Sequence, residues 1–318
     1  MEFLDVVDTC DNFPRFDWND QEPWAASMSQ LWKFRLPGDE RVFGYLTQST
    51  VSRMPRTPDF RLDKATQTVH LQHVGAGDIA ASCAAAMTRL PRAAQDAGSF
   101  VNLSGWPGER FPVLGAPFPF AVDRAISPYF GNVSTGSQLT VFTRDANGSV
   151  ARIWVARRAD HKPTFPGKLD SAAGGAVGQN ETPLGSLLRE AEEESGISAA
   201  GAVSGGTVSW FNVKDGTAGF DGGLVEPGVQ FVYDLEVDAE TELASAEGGI
   251  DWVRLLTIDQ VRGALLRHEF KPSSACVLID FLVRHGIINA ENNACFAEIV
   301  SRLHRSLPLP TTYPLKMV

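Results

Sequence analysis

Cysteine, basic charge and long apolar runs are all scarce in this chain of 318 residues, and each shortage excludes a class of protein. The four cysteines stand far apart, without the paired spacing of a zinc site or a redox dithiol. Lysine and arginine total 28 against 38 acidic residues, a formal net charge of -10. Because nucleic acid binding needs a clustered positive surface, we expect no nucleic acid partner.

Signals for export or membrane insertion are also lacking. The first residues, Met1 to Asp5, are acidic and do not form the basic segment and apolar run of a signal or transit peptide. No apolar stretch approaches the ~20 residues of a membrane-spanning helix, so no membrane partner is expected. We therefore predict a cytoplasmic protein. Its 43% hydrophobic and 21% charged residues are ordinary globular usage, and its length suggests about two domains.

The predicted elements change in character near residue 135. Upstream, short helix-like and strand-like patterns include an alanine-rich helix over residues 78–90. Residues 131–137 are typical of a loop or linker, so we predict a smaller α+β accessory domain over residues 1–135. Downstream, Asn147 and Gly148 indicate a hairpin turn between two strands, because this pair accepts positive φ.

A second domain is predicted over residues 136–261. An apolar run at residues 229–237 is typical of a buried strand, and the alternation of strands and helices favours a mixed sheet flanked by helices. Further helical patterns follow at residues 258–266, 273–285 and 292–307. They predict a C-terminal helical extension over residues 262–318 that packs on the core of this α/β domain.

One segment of the second domain carries a chemical pattern. Gly175 is followed after five residues by Glu181 and, after seven more, by the run Arg189-Glu190-Ala191-Glu192-Glu193-Glu194-Ser195-Gly196-Ile197. Thr182 and Pro183 are a typical helix start, a capping hydroxyl and then proline at the first helical position. Gly196 is a natural helix stop. We therefore predict a helix over residues 183–195.

This helix is predicted to have an apolar face and an acidic face. At ~100° per residue, the apolar stripe consists of Leu184, Leu187, Leu188 and Ala191. Glu190, Glu193 and Glu194 converge on the neighbouring face, whereas Glu192 points away and is interpreted as a solvated surface residue. Like charges at these spacings destabilise an isolated helix by a few tenths of a kcal/mol each. A bound cation would compensate, and Mg²⁺ prefers such oxygen ligands.

The whole segment resembles the signature of the Nudix hydrolases. That signature is glycine, five residues, glutamate, seven residues, then Arg-Glu-aliphatic-any-Glu-Glu-any-Gly-aliphatic, and no position is missing here. The resemblance implies an α/β/α sandwich with a mixed sheet. It also implies hydrolysis of a diphosphate linkage in a small-molecule partner, with Mg²⁺ or Mn²⁺ as the cofactor.

The same resemblance implies a role for each residue of the signature. The expected metal ligands are the carbonyl of Gly175 and the carboxylates of Glu190, Glu193 and Glu194. Arg189 orients the glutamates, and Glu181 fixes both the loop and Arg189. Glu190 or Glu193 would be the general base. From spacing alone, Arg189 also fits a plain helix salt bridge, and Gly175 with the preceding glycine fits a plain turn.

Other segments look like a Nudix subfamily that is related to thiamine pyrophosphokinase and has an extra N-terminal domain. They are residues 44–46, 105–110, 166–175, 231–236, 270–272 and 280–286. This resemblance implies conversion of an oxidised or damaged thiamine diphosphate to its monophosphate, or removal of phosphate from 8-oxo-dGDP. Lys168 and Asp170, on the loop entering the signature, and Trp106 with Phe111 are the expected substrate-binding residues.

The chain departs from the subfamily at one point. Where an Asp-Gly-Glu segment is expected, it has Glu247 followed by two glycines, so Glu247 or Asp251 is expected to supply a further carboxylate. Two rival functions fit less well. An inactive Nudix-type ligand sensor need not keep the three glutamates, which are complete here. Isopentenyl diphosphate isomerase resembles this fold but uses a cysteine, and no cysteine lies between Cys83 and Cys276.

Overall fold

The computed structural model describes residues 2–73, 77–100, 103, 106, 108–216, 221–245 and 249–313. The helices are α1 (Phe3–Asp8), α2 (Glu22–Ser29), α3 (Gln48–Arg53), α4 (Ile79–Asp96), α5 (Ser127–Phe130), α6 (Pro183–Ser195), α7 (Ile258–Leu266), α8 (Pro272–Arg284) and α9 (Phe296–Leu303). The strands are β1 (Leu31–Arg35), β2 (Gly44–Thr47), β3 (Phe60–Asp63), β4 (Thr68–Leu71), β5 (Arg110–Pro112), β6 (Ala121–Asp123), β7 (Ser134–Arg144), β8 (Val150–Arg158), β9 (Leu169–Ser171), β10 (Ala173–Ala176), β11 (Val203–Val213), β12 (Val225–Glu236) and β13 (Ile250–Thr257).

A mixed seven-stranded sheet forms the centre of the molecule. Its order is β11-β12-β7-β8-β13, with β10 added beside β7 and β9 beside β8. Strands β7 and β12 are parallel, whereas the neighbouring pairs are antiparallel. Helix α6 covers one face, where Leu187 packs with Leu139, and α8 covers the other, where Phe281 packs with Phe142. The fold is therefore the predicted α/β/α sandwich.

The hairpin predicted from Asn147 and Gly148 joins β7 to β8. Gly148 has a φ of 79°, and its N–H donates to the carbonyl of Asp145 over 3.0 Å. The linker expected over residues 131–137 is wrong in its second half, because β7 already begins at Ser134. A side chain at Gly136 would collide with Gln230 and the Gly175 carbonyl, which shows how closely the strands approach here.

The N-terminal region contributes a smaller α+β layer. Its four strands run β2-β1-β4-β3, and α4 lies in the same apolar core as residues such as Phe34 and Leu71. Asp78 caps α4 by accepting a hydrogen bond from the Ala81 N–H at 2.7 Å. The helix continues past Pro91, beyond the predicted end at residue 90. No helix in the described ranges is long and apolar enough to cross a bilayer.

The chain ends do not follow the predicted domain boundaries. Helix α1 packs against α7, α8 and α9, and its Phe3 and Val6 belong to the same apolar core as Val261. Asp11 and Arg305, both buried, form an ion pair of 2.7 Å. The first residues therefore complete the core of the larger sheet, because α1 buries apolar residues of α8 that would otherwise face solvent. Helix α7 also spans the boundary expected at residue 261.

Candidate active site

Helix α6 has the bounds that the sequence predicts. Thr182 Oγ1 accepts a hydrogen bond from the Gly185 N–H at 3.0 Å, and Gly196 ends the helix in the left-handed region with a φ of 62°. The predicted apolar stripe is only half covered: Leu187 is fully buried, but Leu184 and Leu188 are 42% and 39% exposed. Only the side of α6 that faces β10 and β7 is packed.

Arg189 is the organising residue of this helix. Its Nε and Nη2 donate to the two carboxylate oxygens of Glu181 over 2.8 and 3.2 Å, a strong two-point ion pair. Its Nη1 lies 2.9 Å from both Glu190 Oε1 and Glu193 Oε2. Glu181 also accepts the Gly178 N–H over 3.0 Å, which fixes the loop before α6. The hydrogen bonds from Arg189 lower the pKa of Glu181.

Gly175 leaves the space that Glu190 occupies. A Cβ at Gly175 would lie 2.2 Å from Glu190 Oε1, so any side chain there would displace this carboxylate. Gly175 lies in strand β10 and pairs with Ser137 of β7. The alternative prediction, that Gly175 is part of a plain turn, is therefore wrong. Glu190 is half-buried, and this burial raises its pKa despite the neighbouring Arg189.

Glu194 is turned towards a buried polar cluster. Its Oε2 accepts the Gly174 N–H over 3.0 Å. Burial, with the nearby charge of Asp170, raises the pKa of Glu194 to about 7. Asp170 is itself buried and bonded to Ser274 at 2.5 Å and to Arg158 at 3.1 Å. Its carboxylate therefore joins β8 to α8 through Arg158 and Ser274. Asp170 was expected to bind substrate, but it lines neither cavity described below.

Glu190, Glu193 and Glu194 are neighbours on α6, but their carboxylates do not converge on one point. Within the described ranges, no three acidic, histidine or cysteine side chains are grouped so as to hold a metal ion. The reason is that Arg189 holds Glu190 and Glu193, while Glu194 turns to the Gly174 N–H. The chemistry of the donors still fits a hard divalent cation, because the carboxylates of all three glutamates offer oxygen atoms.

Other predicted residues lie away from α6. Trp106 packs against the N-terminal core, with the Arg92 guanidinium 5.9 Å from its ring centre. Asp251 is exposed and ion-paired with Arg157 at the neighbouring strand β8. The Nζ of Lys168 donates to the His268 carbonyl over 2.7 Å. Glu247 lies outside the described residues.

A cleft of about 420 Å³ opens beside the loop that precedes α6. We call it the Glu109 cleft, and its lining is Gly108, Glu109, Phe111, Arg124, Ala125, Ser127, Pro128, Gly131, Asn132, Ser134, Pro163, Thr164, Val225 and Glu226. Glu109 Oε1 would lie 3.1 Å from a Cβ at Gly178. Desolvation raises the pKa of Glu109, and the charges of Arg124 and Arg189 oppose the rise. The cleft therefore lies beside Gly178, and Glu109 is near enough to Glu181 and Glu190 for their charges to raise its pKa further.

Sequence reasoning did not identify the roles of Glu109 or Arg158, or that of Lys271, whose Nζ lies 3.8 Å from Asp170 Oδ2. Glu109 and Lys271 fall within the segments 105–110 and 270–272, which carried the narrower resemblance but no stated chemistry. Arg158 had no signal, because only the folded chain brings it to Asp170.

Comparison with known proteins identifies the class of this domain. The model of the NUDIX domain matches residues 136–281. Nudix hydrolase YfcD of Salmonella typhi is 31% identical over 149 residues, which cover 47% of this chain and 71% of that protein. The chain belongs to the Nudix hydrolase family.

Two longer matches extend the comparison. The Saccharomyces cerevisiae protein YJR142W is 30% identical over 222 residues, 67% of this chain and 65% of that protein. Nudix hydrolase 24, chloroplastic, of Arabidopsis thaliana is 34% identical over 190 residues, 57% of this chain and 48% of that protein. The chain thus spans between about half and two thirds of the length of these two relatives.

Proposed function

We propose that this protein hydrolyses the diphosphate linkage of a small molecule with the help of Mg²⁺ or Mn²⁺. The observation that carries the proposal is the arrangement of Gly175, Glu190, Arg189 and Glu181, in which the glycine makes room for one carboxylate and the arginine orients it. A bound divalent cation would neutralise the charge that develops on the phosphoryl oxygens and would lower the pKa of a bound water.

The glutamates of α6 have different proposed tasks. Glu190 is the proposed general base, because burial raises its pKa and makes the carboxylate the better proton acceptor, while Arg189 holds it at 2.9 Å. Glu193 and Glu194, with the Gly175 carbonyl, are the proposed metal ligands. Glu181 acts through Arg189, since it binds the guanidinium and the Gly178 N–H.

The Glu109 cleft is the proposed site for the rest of the substrate. Phe111, Pro128 and Pro163 supply apolar walls for a flat ring, and a volume of about 420 Å³ suits a small heterocycle. The carboxylates of Glu109 and Glu226 can accept hydrogen bonds from N–H groups on such a ring. An oxidised or damaged thiamine diphosphate, cleaved to its monophosphate, fits these features. Phe111, rather than Trp106, would contact the ring.

Two glutamine substitutions on one helix test the chemistry. Glu193→Gln should lower kcat by ~100-fold or more, the scale of a lost metal ligand or base. Glu192→Gln is the matched control, since Glu192 is exposed one residue away and should change kcat less than threefold. Activity should vanish in excess chelator and return with Mg²⁺ or Mn²⁺. Full turnover in chelator, or equal rates for both variants, would refute the proposal.

A comparison of three compounds tests the substrate. Oxidised thiamine diphosphate should have a kcat/KM at least ~10-fold above intact thiamine diphosphate and 8-oxo-dGDP, which needs only ~1.4 kcal/mol of differential binding. Phe111→Ala should raise KM for the preferred compound, because the ring loses its wall. A higher kcat/KM for 8-oxo-dGDP would assign the protein to nucleotide sanitation, against the thiamine proposal.

We also propose a cytoplasmic location, in keeping with the four cysteines, which are free thiols as in the proteins of a reducing compartment. The printed name of the Arabidopsis thaliana relative places that protein in the chloroplast. Fractionation of cells that produce the tagged chain tests the proposal, and recovery of the protein in an organelle fraction would contradict it.

A further inference from the structure

A second cavity, of about 460 Å³, lies between α1, the end of β11 and the connection from α7 to α8. We call it the basic cavity, and its lining includes Phe165, Lys168, Lys214, Asp215, His268 and Phe270. Among the described residues, it shares none of its lining with the Glu109 cleft. None of the described glutamates of α6 lines it.

Backbone strain is concentrated at this cavity. In the described part of the chain, Gln67, Phe165 and His268 are the non-glycine residues with positive φ, and the last two, at 48° and 53°, both line the basic cavity. A positive φ is unfavourable for a residue with a side chain, and retained strain of this kind clusters at functional sites, including ligand sites. It motivates a functional hypothesis for these two residues.

Lys168 connects the two strained residues. Its N–H donates to the Phe165 carbonyl over 3.4 Å, and its Nζ donates to the His268 carbonyl over 2.7 Å. An ammonium group has three donors, so this lysine can keep the His268 bond and still bind an anion. The strained backbone therefore fixes a cation at the wall of the cavity.

The lining combines positive charge with flat apolar walls. Its cations are Lys168 and Lys214; because Lys214 is ion-paired with Glu226 over 2.9 Å, Lys168 is the cation that an anionic ligand would meet. The rings of Phe165 and Phe270 supply apolar surface beside these cations. This combination suits a ligand with one anionic group and one aromatic group, because each part meets its own complement.

We propose that the basic cavity binds an aromatic phosphate monoester, with Lys168 on the phosphate and Phe165 on the ring. The monophosphate product of the proposed hydrolysis belongs to this chemical class. Only that identification of the natural ligand rests on the proposed function, since the site itself is argued from its own residues.

Binding in the presence of chelator isolates this cavity from the glutamates. Without a metal ion the carboxylates of α6 repel a phosphate, so a phosphate ester that still binds must do so elsewhere. Isothermal titration of the full chain in excess EDTA should show one site for phenyl phosphate. Inorganic phosphate and phenol, which each lack one half of the probe, should bind at least ~10-fold more weakly, a difference of ~1.4 kcal/mol.

Two variants locate the bound probe. Lys168→Met keeps the apolar stem and should weaken phenyl phosphate at least ~10-fold, as should Phe165→Gly, which removes the ring but tolerates positive φ. Lys64→Met is the control, because Lys64 is an exposed lysine in the turn between β3 and β4. Thermal unfolding of each variant checks that it is folded. If Lys168→Met fails to fold, Phe165→Gly still tests the proposal.

The outcomes separate this site from the proposed reaction. Absence of phenyl phosphate binding by the unaltered chain up to ~5 mM, which is weaker than the millimolar affinity expected of such a small ligand, would overturn the proposal. So would unchanged binding in both variants. Failure of the proposed function would instead appear as absent metal-dependent turnover with the chelator-resistant binding intact.

Discussion

Glu194→Gln should stabilise the metal-free protein at neutral pH while it abolishes turnover. The carboxylate of Glu194 is mostly buried, and burial with the charge of Asp170 raises its pKa from 4.5 to about 7. At higher pH the folded chain must therefore hold an unfavourable ionised group. Glutamine keeps an oxygen for the Gly174 N–H but carries no charge.

The sign and size of the effect follow from this raised pKa. Between pH 4.5 and about 7 the folded state binds more protons at Glu194 than the unfolded state does. The free energy of unfolding therefore falls as pH rises through this window, and the loss is complete above it. The interval corresponds to about 3 kcal/mol at most, at ~1.4 kcal/mol for each pH unit.

Urea unfolding in excess chelator measures the difference. At pH 8 the Glu194→Gln variant should exceed the unaltered protein by between ~1 and ~3 kcal/mol, and at pH 5 the gap should be much smaller. Glu192→Gln is the control, since Glu192 is exposed and should give no pH-dependent gap. The quantity to compare is the difference in the free energy of unfolding between the variant and the unaltered protein. If this difference is no larger at pH 8 than at pH 5, the reasoning is refuted.

Three further predictions concern the frame of the site. Gly175→Ala should lower kcat ~100-fold, because the new Cβ would lie 2.2 Å from Glu190 Oε1 and displace the carboxylate. Steady-state kinetics measures this, and a normal kcat would contradict the requirement for glycine beside Glu190. Arg305→Met should cost ~3–5 kcal/mol in urea unfolding, because Asp11 is left buried and unpaired. Thr182→Ala should cost ~1 kcal/mol by removing the cap of α6, and no loss would mean the cap is replaced.

The elements predicted best are those set by local chemistry. Helix α6 begins and ends as predicted because Thr182, Pro183 and Gly196 determine its ends within a few residues. The hairpin at Gly148 depends in the same way on a residue that accepts positive φ. Spacing along the helix also places Glu190, Glu193 and Glu194 next to one another without reference to the rest of the fold.

The parts that the sequence did not predict depend on distant partners. A helical wheel does not show that Arg189 holds two of the glutamates or that Glu194 turns to the Gly174 N–H. The burial of Asp170 requires Arg158 and a serine on α8, which is about a hundred residues away. Phe165 adopts a backbone conformation that local preference disfavours for a bulky residue, and Arg158 on β8 helps to hold it by donating to its carbonyl over 3.2 Å.

The ion pair between Asp11 and Arg305 joins positions 294 residues apart. Such a contact can form only after both residues have been synthesised, so it constrains when this core can fold. Helix α1 is made long before its partners α8 and α9, which follow it only after the whole of the larger sheet. Until then Phe3, Val6 and Val7 have no native neighbour from those helices. The core around α1 therefore cannot close until α8 and α9 have been made, and until then the nascent chain exposes an apolar helix that chaperones can bind.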